Sequence, residues 1–168
     1  VYCSISGFGP DGPYSDRPVL DPVIQGLTGV ISRQLNPEIP FPDLVRNLIA
    51  DKSTAMTAAQ AITAALYARK QGGEGQLVEA SLFGTALNML CNFSGQSLMT
   101  GDDPTRFGSG SQAAQPSGVY HSSDGEFMIT IAAESMFRRF CDQVIEKPTL
   151  ADDPRFDGNA ERVSNHKE

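Results

Sequence analysis

Tryptophan is absent from this chain, histidine occurs twice and cysteine three times, and 13 lysines and arginines stand against 20 aspartates and glutamates. Each shortage excludes something. A formal net charge of −7 gives an acidic surface, which argues against nucleic acid as a partner. A local phosphate site stays open, because one arginine or one helix N-terminus can hold such a group whatever the global charge. Cys3, Cys91 and Cys141 lie far apart, with neither a CxxC pair nor a histidine at metal-ligand spacing. No metal site is expected, and the three read as reduced, buried thiols of a cytosolic protein. A nucleophilic thiol would need a base or cation beside it, and the sequence shows none. His121 and His166 have no partner at catalytic spacing and read as surface residues. No apolar run has the length that a bilayer demands, and no charged-then-apolar segment opens the chain, so a cytoplasmic protein with no membrane partner is expected.

What is present is enough apolar material, 40% of 168 residues, for one sizeable core or one core plus part of a second. Residues 1–6 are apolar enough for a buried strand. Gly7, Gly9, Pro10, Gly12 and Pro13 then force a turn at its C-terminal end, the edge at which ligands bind in open α/β sheets. A chain that opens in mid-strand without a methionine is expected to lack N-terminal sequence. Val23, Ile24, Leu27, Val30 and Ile31 recur at helical spacing and predict a helix over 22–31, with Asp21 as its N-cap and Pro22 in its first position. Pro37, Pro40 and Pro42 make residues 36–42 an extended crossing. The alanine-rich run 52–70 predicts a long helix with Ala55, Ala59, Ile62, Ala65 and Leu66 on its packing face. Glycines 72, 73 and 75 end it, residues 76–82 alternate as a strand, and Ala86, Leu87, Leu90 and Phe93 continue a helix over 82–98. Helix, glycine turn, strand, helix is the order of an α/β unit with parallel strands.

Residues 100–117 shift to Gly, Ser, Asp, Pro and Gln, which predicts a domain boundary or an active-site loop. Beyond it, 118–121 and 126–132 read as a hairpin turned by Ser123, Asp124 and Gly125. Residues 135–145 read as an amphipathic helix capped by Ser135, and one more helix is expected after Asn159.

Several strings together resemble one family. They are Ile5 to Tyr14 (ISGFGPDGPY), Ala64-Ala65-Leu66 with Arg69 and Gly73-Glu74-Gly75-Gln76, Gly118-Val119-Tyr120 with Asp124-Gly125, and Leu150 to Phe156 (LADDPRF) running on to Asn159 and Arg162. In order and spacing they are similar to the class III coenzyme A transferases, which include formyl-CoA, carnitine and dicarboxylate transferases and the related 2-methylacyl-CoA racemases. The resemblance implies an α/β fold: the C-terminal part of a Rossmann-like parallel-sheet domain over 1–100, a linker and active-site loop over 101–117, and the beginning of a small α+β domain over 118–168.

It also implies a site. The family's aspartate nucleophile, just before its long alanine-rich helix, matches Asp51. A carboxylate that forms an acyl anhydride and then a thioester with coenzyme A divides a difficult exchange between two acids into easier steps. A helix N-terminus would favour its ionised form. The plainer alternative is that Asp51 only caps the helix. Arg17, Pro18, Val19 and Leu20 match the stretch that contacts coenzyme A, with Arg17 suited to a phosphate or else a solvated loop charge. Gly110 and Gln115, in the loop 108–116, and Glu134 are the implied substrate contacts, with Glu134 alternatively only a cap of the helix that follows. The loop departs from the family's all-glycine form at Ala113 and Ala114. Leu20 stands where the racemase branch has a histidine, so one of that branch's two proton-transfer partners is missing. Implied with the site are an acyl-CoA donor, with coenzyme A as the only cofactor and no metal, a free carboxylic acid acceptor, and a homodimer of interlocked subunits. Two alternatives remain: a racemase-like reaction in which Asp51 is a base, and an inactive piece that acts only in assembly.

Overall fold

The structure is a computed structural model in which residues 1–33, 43–101 and 114–168 are described. It has the expected α/β class with a parallel strand pair, and the chain separates into two units, Val1–Pro104 and Thr105–Glu168.

In the first unit β1, Tyr2–Ser6, pairs in parallel with β2, Leu77–Ser81, in the register Tyr2 with Leu77 through Ser6 with Ser81. Parallel neighbours need a crossover. Here it contains α1 (Asp21–Thr28), α2 (Val30–Arg33) and the 22-residue α3 (Ile49–Lys70), and α4 (Leu82–Met89) and α5 (Cys91–Thr100) follow β2. The helix expected over 22–31 is therefore two helices, because Gly29 takes a left-handed conformation (φ 84°) that ends α1. The helix expected over 82–98 is likewise interrupted, at Leu90. The end of α3 follows from its glycines: the Gly73 N–H donates to Ala68 O (3.1 Å) and the Gly72 N–H to Arg69 O (3.2 Å), with Gly72 at φ 96°.

The core of this unit joins Ile24, Ala50 and Ala86, with Phe8, Val19, Leu82 and Phe83 packed on it. Ala50, Thr54, Ala58 and Ala65 are the buried stripe of α3, spaced four, four and seven residues apart along one face. This corrects the expected face in part: Ala65 is buried and Ile62 half-buried, but Ala55, Ala59 and Leu66 are exposed, because α3 turns the neighbouring stripe toward α4, α1 and the strands. The buried strand expected at the start is also corrected, since Tyr2 and Ile5 are exposed on a sheet of two strands. No helix among the described residues is long and apolar enough to cross a membrane.

In the second unit β3, Ser117–His121, and β4, Glu126–Thr130, form an antiparallel hairpin closed by the Ser122 N–H donating to Gly125 O (2.7 Å). Helix α6 (Glu134–Gln143), a 3-10 turn (Pro148–Asp152) and α7 (Asn159–Ser164) follow. Ile131, Phe137, Cys141 and Ala151 form the core, with Ile129, Phe140, Leu150 and Phe156 around it. Ser135 is not the N-cap of α6: the helix starts one residue earlier, and Ala133 at the cap position supplies no side-chain acceptor. Of the cysteines, only Cys141 is buried, and burial pushes its thiol above the ordinary value, which makes it a poor nucleophile. Cys3 is half-buried and Cys91 exposed, contrary to expectation, because each lies beyond the apolar cluster of its unit.

Candidate active site

Asp51 is the third residue of α3, and so belongs to the first turn of the helix without being its N-cap. The cap position is held by Leu48, a non-glycine residue in the left-handed region (φ 47°, ψ 52°) with no side chain able to accept a hydrogen bond. A helix begins with N–H groups that have no internal partner. Here they are met from outside: the N–H groups of Ala50 and Asp51 donate to Asp21 Oδ2 at 2.6 and 3.0 Å. Asp21 is thus an N-cap, but of α3 and not of its own helix α1, where Leu20 holds the cap position.

Asp21 is 2% exposed, and its other oxygen accepts Gln25 Nε2 at 2.5 Å. Gln25, equally buried one turn along α1, is fixed at both ends of its amide: Nε2 donates to Val45 O (3.0 Å) and Oε1 accepts the Val45 N–H (2.9 Å). Asp51 itself is exposed, and among the described residues no hydrogen bond or ion pair engages its side chain. Lys52 Nζ bonds Asn47 Oδ1 beside it.

The glycine turn after β1 reaches the same cluster. The Gly9 N–H donates to Ser6 Oγ (3.0 Å), and Gly7 O accepts the Phe83 N–H at the start of α4 (3.0 Å). Gly7 has to be glycine for a steric reason: a Cβ there would lie 2.2 Å from Val19 Cγ1. The close approach seats Val19, and with it the stretch 17–20, against the turn. Arg17 stacks its guanidinium on Tyr14, Cζ 4.4 Å from the ring centroid, and Tyr14 meets Phe8 edge-on at 5.3 Å. Pro18 and Leu20 are exposed, Leu20 by 75%. Asp51, through its neighbour Ala50, and the 17–20 stretch, through Val19, therefore share one cluster.

In the second unit Arg162, 3% exposed, gathers the other expected residues. Its Nε donates to Gln115 O (3.0 Å), and its Nη1 to Glu134 Oε2 (2.8 Å) and Phe156 O (3.0 Å). Its Cζ lies 4.3 Å over the Phe137 ring. The Gln115 side chain accepts the Ser117 N–H (3.3 Å), and the Gln115 N–H donates to Asn159 Oδ1 (3.1 Å). A cavity of about 260 Å³ opens here, with Phe137, Phe140, Phe156 and Leu150 as apolar wall and Gln115 and Arg162 as polar lining. Gly110 lies outside the described residues.

The model of one family, CoA-transferase family III, matches residues 1–168, the whole chain. The chain belongs to CoA-transferase family III. Among similar proteins are the succinate–glutarate CoA-transferase of Agrobacterium fabrum (strain C58 / ATCC 33970), 33% identical over 99% of this chain and 41% of the relative, and the acetyl-CoA:oxalate CoA-transferase of Acetobacter aceti, 31% identical over 99% of this chain and 42% of the relative. A crystal structure of a CaiB/BaiF family protein from Brucella suis superposes with a TM-score of 0.76 at 32% identity, covering 99% of this chain and 44% of that one. The chain spans about two fifths of the length of the relatives it matches.

For a family III chain the sequence reading missed Asp21 and Gln25 as parts of the site. One signal was available, their i, i+4 spacing on a helix, which lets an amide donate to a carboxylate. The contacts of Asp21 with residues 29 and 30 positions further on, and of Gln25 with Val45, 20 positions further on, were not readable. Arg162 was noticed only as part of a matching string, and its burial needed the fold.

Proposed function

We propose that this chain carries the nucleophile of a coenzyme A transferase, Asp51, and that the enzyme moves coenzyme A from an acyl-CoA to a free carboxylic acid. An Asp51 oxygen attacks the thioester carbonyl, the carbon–sulfur bond breaks, and the coenzyme A thiolate leaves an acyl-aspartyl anhydride. The thiolate then attacks the aspartyl carbonyl, releasing the donor's acid and leaving an aspartyl-CoA thioester. An acceptor carboxylate attacks that thioester, forming a second anhydride and freeing the thiolate. The thiolate takes the acceptor's acyl group, and Asp51 returns as a carboxylate. No proton is gained or lost over the cycle.

The observation that carries this reading is the open carboxylate of Asp51 in the first turn of α3. It is exposed, it is not consumed as a cap, and the partial positive charge of the helix N-terminus lies behind it. Arg17 and the residues Pro18, Val19 and Leu20 are the proposed coenzyme A contacts, a cation presented on Tyr14 for a phosphate. Gly110, Gln115 and Glu134 are the proposed contacts of the acyl and acceptor groups. The Agrobacterium and Acetobacter relatives act by name on succinate, glutarate and oxalate, which makes short dicarboxylic acids the acceptors to try first. Pairing into a homodimer belongs to the same proposal, supported by the apolar Met56, Leu66 and Tyr67 that α3 leaves exposed.

The test is to incubate the intact enzyme with acyl-CoA and hydroxylamine and to map the product by peptide mass. Hydroxylamine attacks the aspartyl carbonyl of either intermediate, so a hydroxamate is expected on residue 51. Asp51→Asn should abolish both the label and turnover, while the Asp21 bonds to the backbone keep α3 in place. Exchange of the hydrogen beside the thioester without any label on Asp51 would instead make that residue a base.

A further inference from the structure

We propose that Asp21 is a positioning residue for Asp51, a role that rests on Asp51 being the nucleophile. A carboxylate in the first turn of a helix has N–H donors within reach of its own side chain, and such bonds make it a cap and occupy the lone pairs that nucleophilic attack requires. In this chain the donors of Ala50 and Asp51 are already taken by Asp21 at 2.6 and 3.0 Å. Asp51 is left with its oxygens free.

The same network fixes where those oxygens point. Leu48 turns the chain through a left-handed conformation that a leucine rarely adopts, and such a turn persists only when its surroundings hold it. It is held on both sides. Val45, three residues before it, is clamped through N–H and C=O by Gln25, and Ala50 and Asp51, just after it, are clamped by Asp21. Gln25 and Asp21 are joined to each other at 2.5 Å, and both are buried. One continuous polar chain, Val45 to Gln25 to Asp21 to Ala50 and Asp51, therefore sets the entry of α3.

Asparagine is the sharp probe. With Val45 fixing the Gln25 amide, the NH2 group that Asp21→Asn introduces must face either the Gln25 Nε2 donor or the two helix N–H donors. One half of the clamp is lost with almost no change in volume. In the intact enzyme, Asp21→Asn should slow hydroxylamine-trappable labelling of Asp51, and kcat with it, by about 10- to 100-fold, the range expected when a reacting group is misplaced by an ångström or less. The KM for acyl-CoA should stay within about twofold, because Asp21 is 2% exposed and its side chain offers a ligand no surface to touch. Gln25→Met, which keeps the Asp21 bonds to α3 but removes the Gln25 donor from Asp21 and releases Val45, should give a smaller loss of the same kind, and it decides the matter if Asp21→Asn does not fold. A purely structural role would lower Tm and leave the labelling rate per folded molecule unchanged. Labelling of Asp51 at the unmutated rate in the folded variants overturns this inference alone. Absence of label at Asp51 in the unmutated enzyme overturns the acyl-aspartate reading and this inference with it.

Discussion

Replacing Arg162 with methionine measures how firmly the residues expected to meet the acyl and acceptor groups are held. Methionine keeps most of the apolar stem and deletes the guanidinium. Two carbonyl acceptors in a buried setting, Gln115 O and Phe156 O, then lose their guanidinium donor, at about 1–3 kcal/mol each. The stacking on Phe137 at 4.3 Å contributes about a further 0.5–1 kcal/mol. Glu134, whose side chain is 43% exposed, returns to water and adds little. Relief from burying a guanidinium works in the opposite direction. The net expectation is a loss of about 3 kcal/mol, and about half that for Arg162→Lys, which retains the charge without the planar fork. Because the chain has two units, a melting curve alone is too coarse a readout to say which of them has changed. Hydrogen exchange resolved by peptide is the right one. The Ile131 N–H, which donates to Pro116 O at 3.0 Å, should lose about two orders of magnitude of protection, since 1.4 kcal/mol is a factor of ten, while the amides of α3 should not change. Protection of Ile131 within a factor of about three of the parent chain, or an equal loss in α3, would refute this account of Arg162.

Two other outcomes follow from the geometry. Gly7→Ala sets a methyl group 2.2 Å from Val19 Cγ1, where carbon atoms want about 3.5–4.0 Å, so it should destabilise the first unit by about 1–3 kcal/mol and raise the KM for acyl-CoA. Adding Val19→Ala should recover most of the loss in urea denaturation, and no recovery would mean that the contact is not the cause. Asp153 is held near a pKa of about 2 by Arg155, through side-chain bonds at 2.8 and 3.1 Å and through the Arg155 N–H. Its folded pKa lies below the ordinary value of 3.8, so whatever it contributes is complete above about pH 4 and is lost as the pH falls toward 2. The difference in thermal stability between the parent chain and Asp153→Asn should therefore shrink over that interval, and a constant difference would contradict it.

How much of this was legible beforehand depended on the range of the interaction. Alanine density and the glycines at 72 and 73 fixed α3 and its end within a few residues, because propensity and a left-handed C-cap act over one or two turns. The hairpin and the parallel α/β order were legible for the same reason. Asp51 was singled out through a family resemblance, with helix-start chemistry only in agreement. The errors came where a local rule met a distant competitor. Asp21 has the chemistry of a cap for α1, but Leu20 holds that position, and the Asp21 carboxylate turns to the start of α3 some 30 residues away. Ser135 has the right chemistry for a cap, but α6 begins before it. Alanines at 55 and 59 lie on one stripe with Ile62, yet the close-packing partners chose the next stripe, and an alanine-rich helix offers little difference between faces to decide by.

The two carboxylates at the head of α3 show why position in the sequence is a poor guide to which of them is open to a ligand. Both reach the first turn of the same helix, and either residue type can cap or attack. Burial separates them. Asp21, 2% exposed with three donors on its two oxygens, is enclosed where no thioester reaches. Asp51 is exposed, and Asp21 has already met the backbone donors that would otherwise have drawn its side chain back onto the helix. The satisfaction of one residue thus leaves the oxygens of the other free. With Asp51 as the proposed nucleophile, the buried acid has to accept bonds and the exposed acid to have none, so exchanging the two environments should lose activity even if both aspartates are retained.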